Sequence, residues 1–183
     1  MVKKTVIAVA LLLVVVIAAV LGLAANRPDT FRVQRATTIK APPETIFALI
    51  NDFHRFGDWS PYEKLDPGMK RTYSGSASGR GAAYAWESNG KAGAGRMEIA
   101  DTSPPSAVTI NLDFTKPLEA HNIVEFHLEP QGDSTNVTWA MHGPAPYIAK
   151  VMHLLFDMDS MVGKDFETGL ANLKTISEAR SSQ

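Results

Sequence analysis

The side chains able to do acid–base, nucleophilic or metal chemistry are few in this sequence and stand apart from one another. The histidines, His54, His121, His127, His142 and His153, fall in different segments with no HExxH or related spacing, so the sequence predicts surface histidines and no metal site. Cysteine is absent, which excludes disulfides, thiolate metal centres, iron–sulfur clusters and a thiol nucleophile together. No GxSxG elbow occurs, and Ser74, Ser76 and Ser103 lie among turn residues, where serine is ordinary. The stretch Gly90-Lys91-Ala92-Gly93-Ala94-Gly95-Arg96 looks like a phosphate loop, but such a loop needs Ser or Thr after its lysine and a helix behind it. A strand pattern follows instead, so these glycines predict a turn or a bulge. On these grounds no catalytic residue and no cofactor is assigned.

What the chain offers is apolar surface. Strand parity and helix phase turn Tyr84, Trp86, Phe114, Phe126, Trp139, Met141, Met152, Leu155, Phe156 and Met158 inward, with Trp59, Pro61 and Tyr62 near the mouth. Those inward residues, with Trp59 and Tyr62, are the ligand-binding candidates, because aromatic and adaptable thioether side chains line sites for apolar ligands. A plain core would use the same residue types, and both readings stay open. Parity places Glu98, between Met97 and Ile99, and Asp113, between Leu112 and Phe114, on the opposite, solvated face, as it does His127 and His142. Glu87, Asp157 and Asp159 are the other carboxylates close by in sequence. A cyclase or dehydratase needs an ionisable group inside, and parity supplies only Tyr84 or Tyr73. Nucleic acid is excluded as a partner by the balance of Lys+Arg 18 against Asp+Glu 19 and by the absence of any basic run beyond Lys3-Lys4 or Lys70-Arg71.

The elements that must hold these residues follow from periodicity. Phe31 to Lys40 reads as a first strand, stopped by Ala41-Pro42-Pro43-Glu44, whose prolines suit a helix start. Two short helices are predicted next, Pro43 to Asn51 and a turn over Asp52 to Trp59, then a loop from Tyr62 to Gly68. Six further strands are predicted over Met69 to Gly75, Ala82 to Glu87, Gly95 to Asp101, Ala107 to Lys116, Ala120 to Glu129 and Ser134 to His142. The breaks between them are too short for helical crossovers, so the sheet is antiparallel. Beyond Pro144 the apolar residues return at helical spacing. Asp157 and Asp159 interrupt them, which predicts a short helix to about Phe156, a break, and a long helix from about Ser160 to Ser177. The short helix, apolar almost all round, is a candidate lid or membrane contact.

Thr5 to Ala25 carries no charge and, at ~1.5 Å per residue, is long enough to cross a ~30 Å hydrocarbon layer. The sequence predicts residues 1–4 as a cytoplasmic tip, 5–25 as a transmembrane anchor or uncleaved signal, 26–30 as a linker and 31–180 as the domain; a cleaved signal peptide is the rival reading. Lys3 and Lys4 against Arg27 and Arg32 put the domain on the extracytoplasmic side of the cytoplasmic (inner) membrane, as a single-pass protein.

Taken in order, certain motifs become recognisable. Ile39-Lys40-Ala41-Pro42-Pro43-Glu44-Thr45-Ile46-Phe47, Asp52-Phe53, Trp59-Ser60-Pro61, Ala85-Trp86-Glu87 with Gly93-Ala94-Gly95-Arg96-Met97, and Met161-Val162-Gly163-Lys164-Asp165-Phe166-Glu167 with Gly169-Leu170-Ala171-Asn172-Leu173 resemble the bacterial polyketide cyclase/dehydrase-like branch of the START-like (SRPBCC) superfamily. The resemblance runs from about Phe31 to Ala179. It implies an α+β helix-grip fold, a seven-stranded antiparallel sheet wrapped around a long C-terminal helix, with a mostly apolar cavity between them for lipids, polyketides or other hydrophobic small molecules. The expectation is a membrane-anchored binding protein for a hydrophobic small molecule or lipid. A cyclase, aromatase or dehydratase and an envelope interaction module without a ligand are the alternatives.

Overall fold

A computed structural model describes residues 2–90 and 92–181; Met1 and Lys91, the lysine of the glycine-rich stretch, lie outside the described residues. The chain forms two compact units, one of residues up to Phe31 with Pro144–Met158 and one of Arg32–Gly143 with residues from Asp159 onward.

The second unit is built on a seven-stranded sheet in the order β1-β7-β6-β5-β4-β3-β2, in which β2 to β7 pair antiparallel with their sequence neighbours. The strands are β1 (Thr30–Ile39), β2 (Lys70–Gly75), β3 (Ala82–Glu87), β4 (Ala94–Ser103), β5 (Ala107–Lys116), β6 (Ala120–Gln131) and β7 (Ser134–Pro144). Alternation decides the faces. Val108, Ile110 and Leu112 of β5, Val124, Phe126 and Leu128 of β6, and Val137 and Trp139 of β7 are buried on one side, in register with one another. Around Gly93-Ala94-Gly95 the chain turns into β4 with a register shift, so the glycines serve backbone geometry.

Helix α1 (Val2–Ala25) belongs to the first unit; among the described residues it is the one helix long and apolar enough to cross a membrane, with a mean hydropathy of 3.3. In the second unit, α2 (Pro43–Ile50) starts on Pro43, preceded by extended Pro42, and carries Glu44 in its first turn, where a carboxylate faces the positive end of the helix dipole. It buries Ile46, Phe47, Leu49 and Ile50. Asp52 then caps a 3-10 turn, Phe53–Arg55, by accepting from the His54 amide at 2.9 Å, and α3 (Phe56–Trp59) follows. The stretch expected as a loop opens with a second 3-10 turn, Pro61–Lys64, in which proline again begins the helix-like backbone.

After α4 (Tyr147–Leu155), Phe156 takes extended backbone (φ −129°, ψ 133°) and the long helix α5 (Met158–Ser181) begins. The break is where the two aspartates predicted it. Phe166, Leu170, Leu173 and Ser177 form the buried stripe of α5. Two glycines set how close α5 comes to the sheet. A Cβ at Gly163 would run into the guanidinium of Arg35 from β1, and one at Gly169 would lie 2.6 Å from Cζ3 of Trp139 on β7. Arg35 in turn holds α5, donating from Nε to Glu167 at 2.9 Å and from Nη2 to the carboxylate and carbonyl of Asp159, each at 3.0 Å. Farther along, Lys174 Nζ donates to the Thr38 carbonyl at 2.9 Å.

Candidate functional site

The core face of the sheet carries a run of aromatic rings that continues onto α5. Trp139 of β7 stacks on Phe166 of α5 with centroids 4.1 Å apart and planes 9° from parallel. Trp59 meets Trp139 edge-on at 5.4 Å and Phe126 at 5.9 Å, and Tyr62 meets Trp139 at 6.5 Å. Phe56 and Phe53 link this group to Tyr84, which stacks over Trp86; Trp86 meets Phe114 edge-on. The offset and edge-to-face geometries are those that ring quadrupoles favour.

Burial divides the run into two parts. Trp59, Phe126, Trp139 and Phe166 are sealed beneath α5 and the short helices, and their rings occupy the space beside the helix. By contrast Trp86, Met97, Phe114 and Met141, on the same face, stay half-buried, as does Tyr62. The register explains their grouping: Trp86 pairs with Gly95, Gly95 with Phe114, and Met97 with Leu112, so three adjacent strands offer one apolar surface. Along β2, β3 and β4 and the end of β5, Lys70, Thr72, Glu87, Arg96 and Lys116, together with Ala85, Trp86 and Ala94, line a groove of about 290 Å³.

Polar groups stand at defined points of this face. The Trp59 indole donates to the Leu49 carbonyl at 3.1 Å, whereas Nε1 of buried Trp139 has no partner among the described residues. An unpaired buried donor costs roughly 1–3 kcal/mol, so its retention calls for a reason. At the β2–β3 end, the Tyr84 hydroxyl donates to Glu63 Oε1 at 2.6 Å, and Arg71 donates from Nε to Glu63 Oε2 at 2.7 Å and from Nη2 to the Glu63 carbonyl at 2.9 Å. The Glu63 side chain is only 9% exposed. Burial, and then the hydrogen bond to Glu63, push the Tyr84 hydroxyl well above the ordinary phenol range. Tyr62 is raised as well, by burial first and then by the facing Asp165 carboxylate. Both hydroxyls therefore serve as donors at neutral pH and not as bases.

A pH dependence follows from these two tyrosines. Their folded pKa values lie above the unfolded value of about 10, so their contribution to stability is complete below about pH 10 and is lost as the pH rises beyond it. Denaturant midpoints measured from neutral to strongly alkaline pH are expected to fall more steeply for the wild type than for Tyr84→Phe; parallel curves would deny Tyr84 this role.

The structure brings Trp59, Tyr62, Phe126 and Trp139 into one group and Tyr84, Trp86 and Phe114 into another linked to it, with Met141 on the same sheet face. Met152, Leu155 and Phe156, expected to turn inward, are instead 38%, 60% and 51% exposed. The break at Phe156 is the cause: it separates α4 from α5 and leaves α4, with Met158, in the unit of α1. Sequence reasoning also passed over Glu63, Arg71 and Met97. Parity already turned Met97 inward, opposite to Glu98. For Glu63 no local signal exists, since its partners lie 8 and 21 residues away.

The chain's fold is that of several solved structures. A protein from Chromobacterium violaceum superposes with a TM-score of 0.57 at 16% identity, covering 83% of this chain and 99% of that one. The Aha1 dimer from Colwellia psychrerythraea gives 0.58 at 18% identity, over 81% and 96%. DynU16, a protein in the dynemicin biosynthetic locus, gives 0.55 at 14% identity, over 85% of this chain and 49% of its own. At such identities the likeness shows the helix-grip architecture alone. Among curated proteins none matches the chain in sequence. The family described as polyketide cyclase / dehydrase and lipid transport, however, matches residues 30–178, from the first strand through most of α5. The chain belongs to the polyketide cyclase/dehydrase and lipid transport family, of the SRPBCC type.

Proposed function

We propose that this protein is a membrane-anchored binding protein for a hydrophobic small molecule or lipid, taken up against the core face of the sheet beside α5. The observation that carries this reading is the unsealed apolar surface of Trp86, Met97, Phe114 and Met141 on the face whose centre, at Ile99, Ile110, Val124 and Phe126, is buried. Covering it would contribute about 25 cal/mol per Å² of apolar area removed from water. The orphaned indole N–H of Trp139 lies in the sealed part next to this surface, and would receive a polar end of the ligand only where the packing beside α5 opens. Membership of a family that includes lipid transport supports the same ligand class. Helix α1 would hold the domain at the extracytoplasmic face of the cytoplasmic membrane, with Lys3 and Lys4 retained inside.

Native mass spectrometry of the full chain released from detergent tests this. A co-purifying apolar species, displaced by a fluorescent fatty acid that binds saturably, is the expected result. A clean apo mass together with no saturable uptake would overturn it.

The Tyr84–Glu63–Arg71 group favours a second reading, a cyclase or dehydratase in which Tyr84 acts as a general acid. Both Glu63 oxygens are already committed to structural partners, which argues for a positioning role. Tyr84→Phe separates the two: a binding protein keeps its affinity, whereas an enzyme using that hydroxyl loses most of its rate.

A further inference from the structure

The short helix α4 is amphipathic in the reverse sense for a protein surface in water. Its only charged side chain, Lys150, is turned inward and 7% exposed, and its Nζ donates to Asp29 at 2.6 Å. His153 likewise packs edge-on against Phe31 at 5.7 Å. Ile148, Met152 and Leu155, spaced so that they share one helix face, point outward with Phe156, and Ile148 and Leu155 keep 61% and 60% of their surface. Within the same unit α4 is fastened to the end of α1. The Tyr147 hydroxyl donates to the Leu21 carbonyl at 2.7 Å, one turn before α1 stops at Ala25, and the Ala145 amide donates to the Asp29 carbonyl at 2.6 Å. At this level of α1, Leu21 and Leu23 are exposed as well, at 42% and 61%.

We infer that α4 is an interfacial membrane helix, whose Ile148, Met152, Leu155 and Phe156 enter the acyl-chain boundary of the leaflet from which α1 emerges. The inference rests on α1 spanning that membrane. Its occupant is lipid, for three reasons on this surface. The height of Tyr147 on α1 sets α4 at the boundary of the apolar span. Its one lysine is neutralised by Asp29 on the side away from the apolar face. A tyrosine at that height suits the headgroup level, where an apolar ring and a polar hydroxyl are both satisfied. A helix lying in the interface with its apolar face down is a known low-cost membrane contact.

The absence of cysteine makes the test direct. Ile148→Cys, Met152→Cys and Leu155→Cys, each in the full chain, are labelled with an environment-sensitive fluorophore and reconstituted into phosphatidylcholine–phosphatidylglycerol vesicles. Leu118→Cys, at a residue 65% exposed between β5 and β6, is the reference. The α4 labels are expected to be quenched by nitroxide-bearing acyl chains and to be several-fold less accessible to aqueous iodide than the label at Leu118. Labels at α4 as open to iodide as Leu118, in protein that stays with the vesicles through alkaline extraction, overturn the inference while leaving the anchor intact. Labels shielded from iodide but untouched by the lipid nitroxides mean that a protein surface, such as a second copy of this chain, covers the face, and this also overturns it. Protein stripped from the vesicles by alkaline extraction overturns the anchor and the inference together.

Discussion

Trp139→Ala is expected to destabilise the protein by about 3–5 kcal/mol, because it removes a buried indole that stacks on Phe166 and packs against Trp59 and Phe126, and leaves a cavity that the sheet and α5 cannot close. Trp139→Phe should behave very differently. It preserves an aromatic ring against Phe166 while deleting the unpartnered Nε1–H, so the loss of packing is offset by roughly 1–3 kcal/mol no longer spent on an unsatisfied donor. Thermal and urea unfolding should therefore place the phenylalanine variant close to the wild type and the alanine variant far below it. If the indole N–H receives a ligand, Trp139→Phe must also bind the fluorescent fatty acid more weakly at unchanged stability. Equal binding by Trp139→Phe and wild type would leave the orphaned donor without a ligand role.

Glu63→Ala is expected to cost about 2–4 kcal/mol. Removing one member of a fully buried ion pair typically costs ~3–5 kcal/mol, but here the Arg71 side chain keeps 27% of its surface in water and can recover part of its solvation. The Tyr84 hydroxyl, in a residue only 2% exposed, has no such route and is left as an unsatisfied donor. Tyr84→Phe alone should cost less, near the ~1.5–3 kcal/mol of a hydrogen bond to a charged group. A double-mutant cycle on Glu63 and Tyr84, followed by urea unfolding, should give a coupling on the order of 1–3 kcal/mol. Additive effects would mean that the 2.6 Å hydrogen bond contributes nothing and that the two residues act separately.

Much of the architecture was legible because the signals that carry it are short in range. Strands β3 and β5 have the bounds that the turn residues around them predict, Ala82–Glu87 and Ala107–Lys116, and the wet-face placement of Glu98 and Asp113 follows from strand parity. The break between α4 and α5 was likewise marked locally, by aspartates that interrupt an apolar stripe. The 3-10 turn over Pro61–Lys64, which runs into the stretch from Tyr62 that the sequence presents as a loop, has no periodicity to display. The orientation of α4 is not legible in its phase, because its apolar residues nearly encircle it.

The amino-acid sequence by itself determined the strand pattern, the antiparallel sheet, the apolar N-terminal helix, the long terminal helix and the residue types of the apolar sheet face, since periodicity and turn chemistry act between neighbours. Only the tertiary structure decided which of those apolar residues are sealed and which remain half open. It also decided that Glu63 would meet Arg71 and Tyr84, and that Lys150 would turn toward Asp29 and leave Ile148 and Leu155 outside. These outcomes depend on the distance and angle at which separate elements close upon one another, and no local rule of hydropathy encodes that geometry.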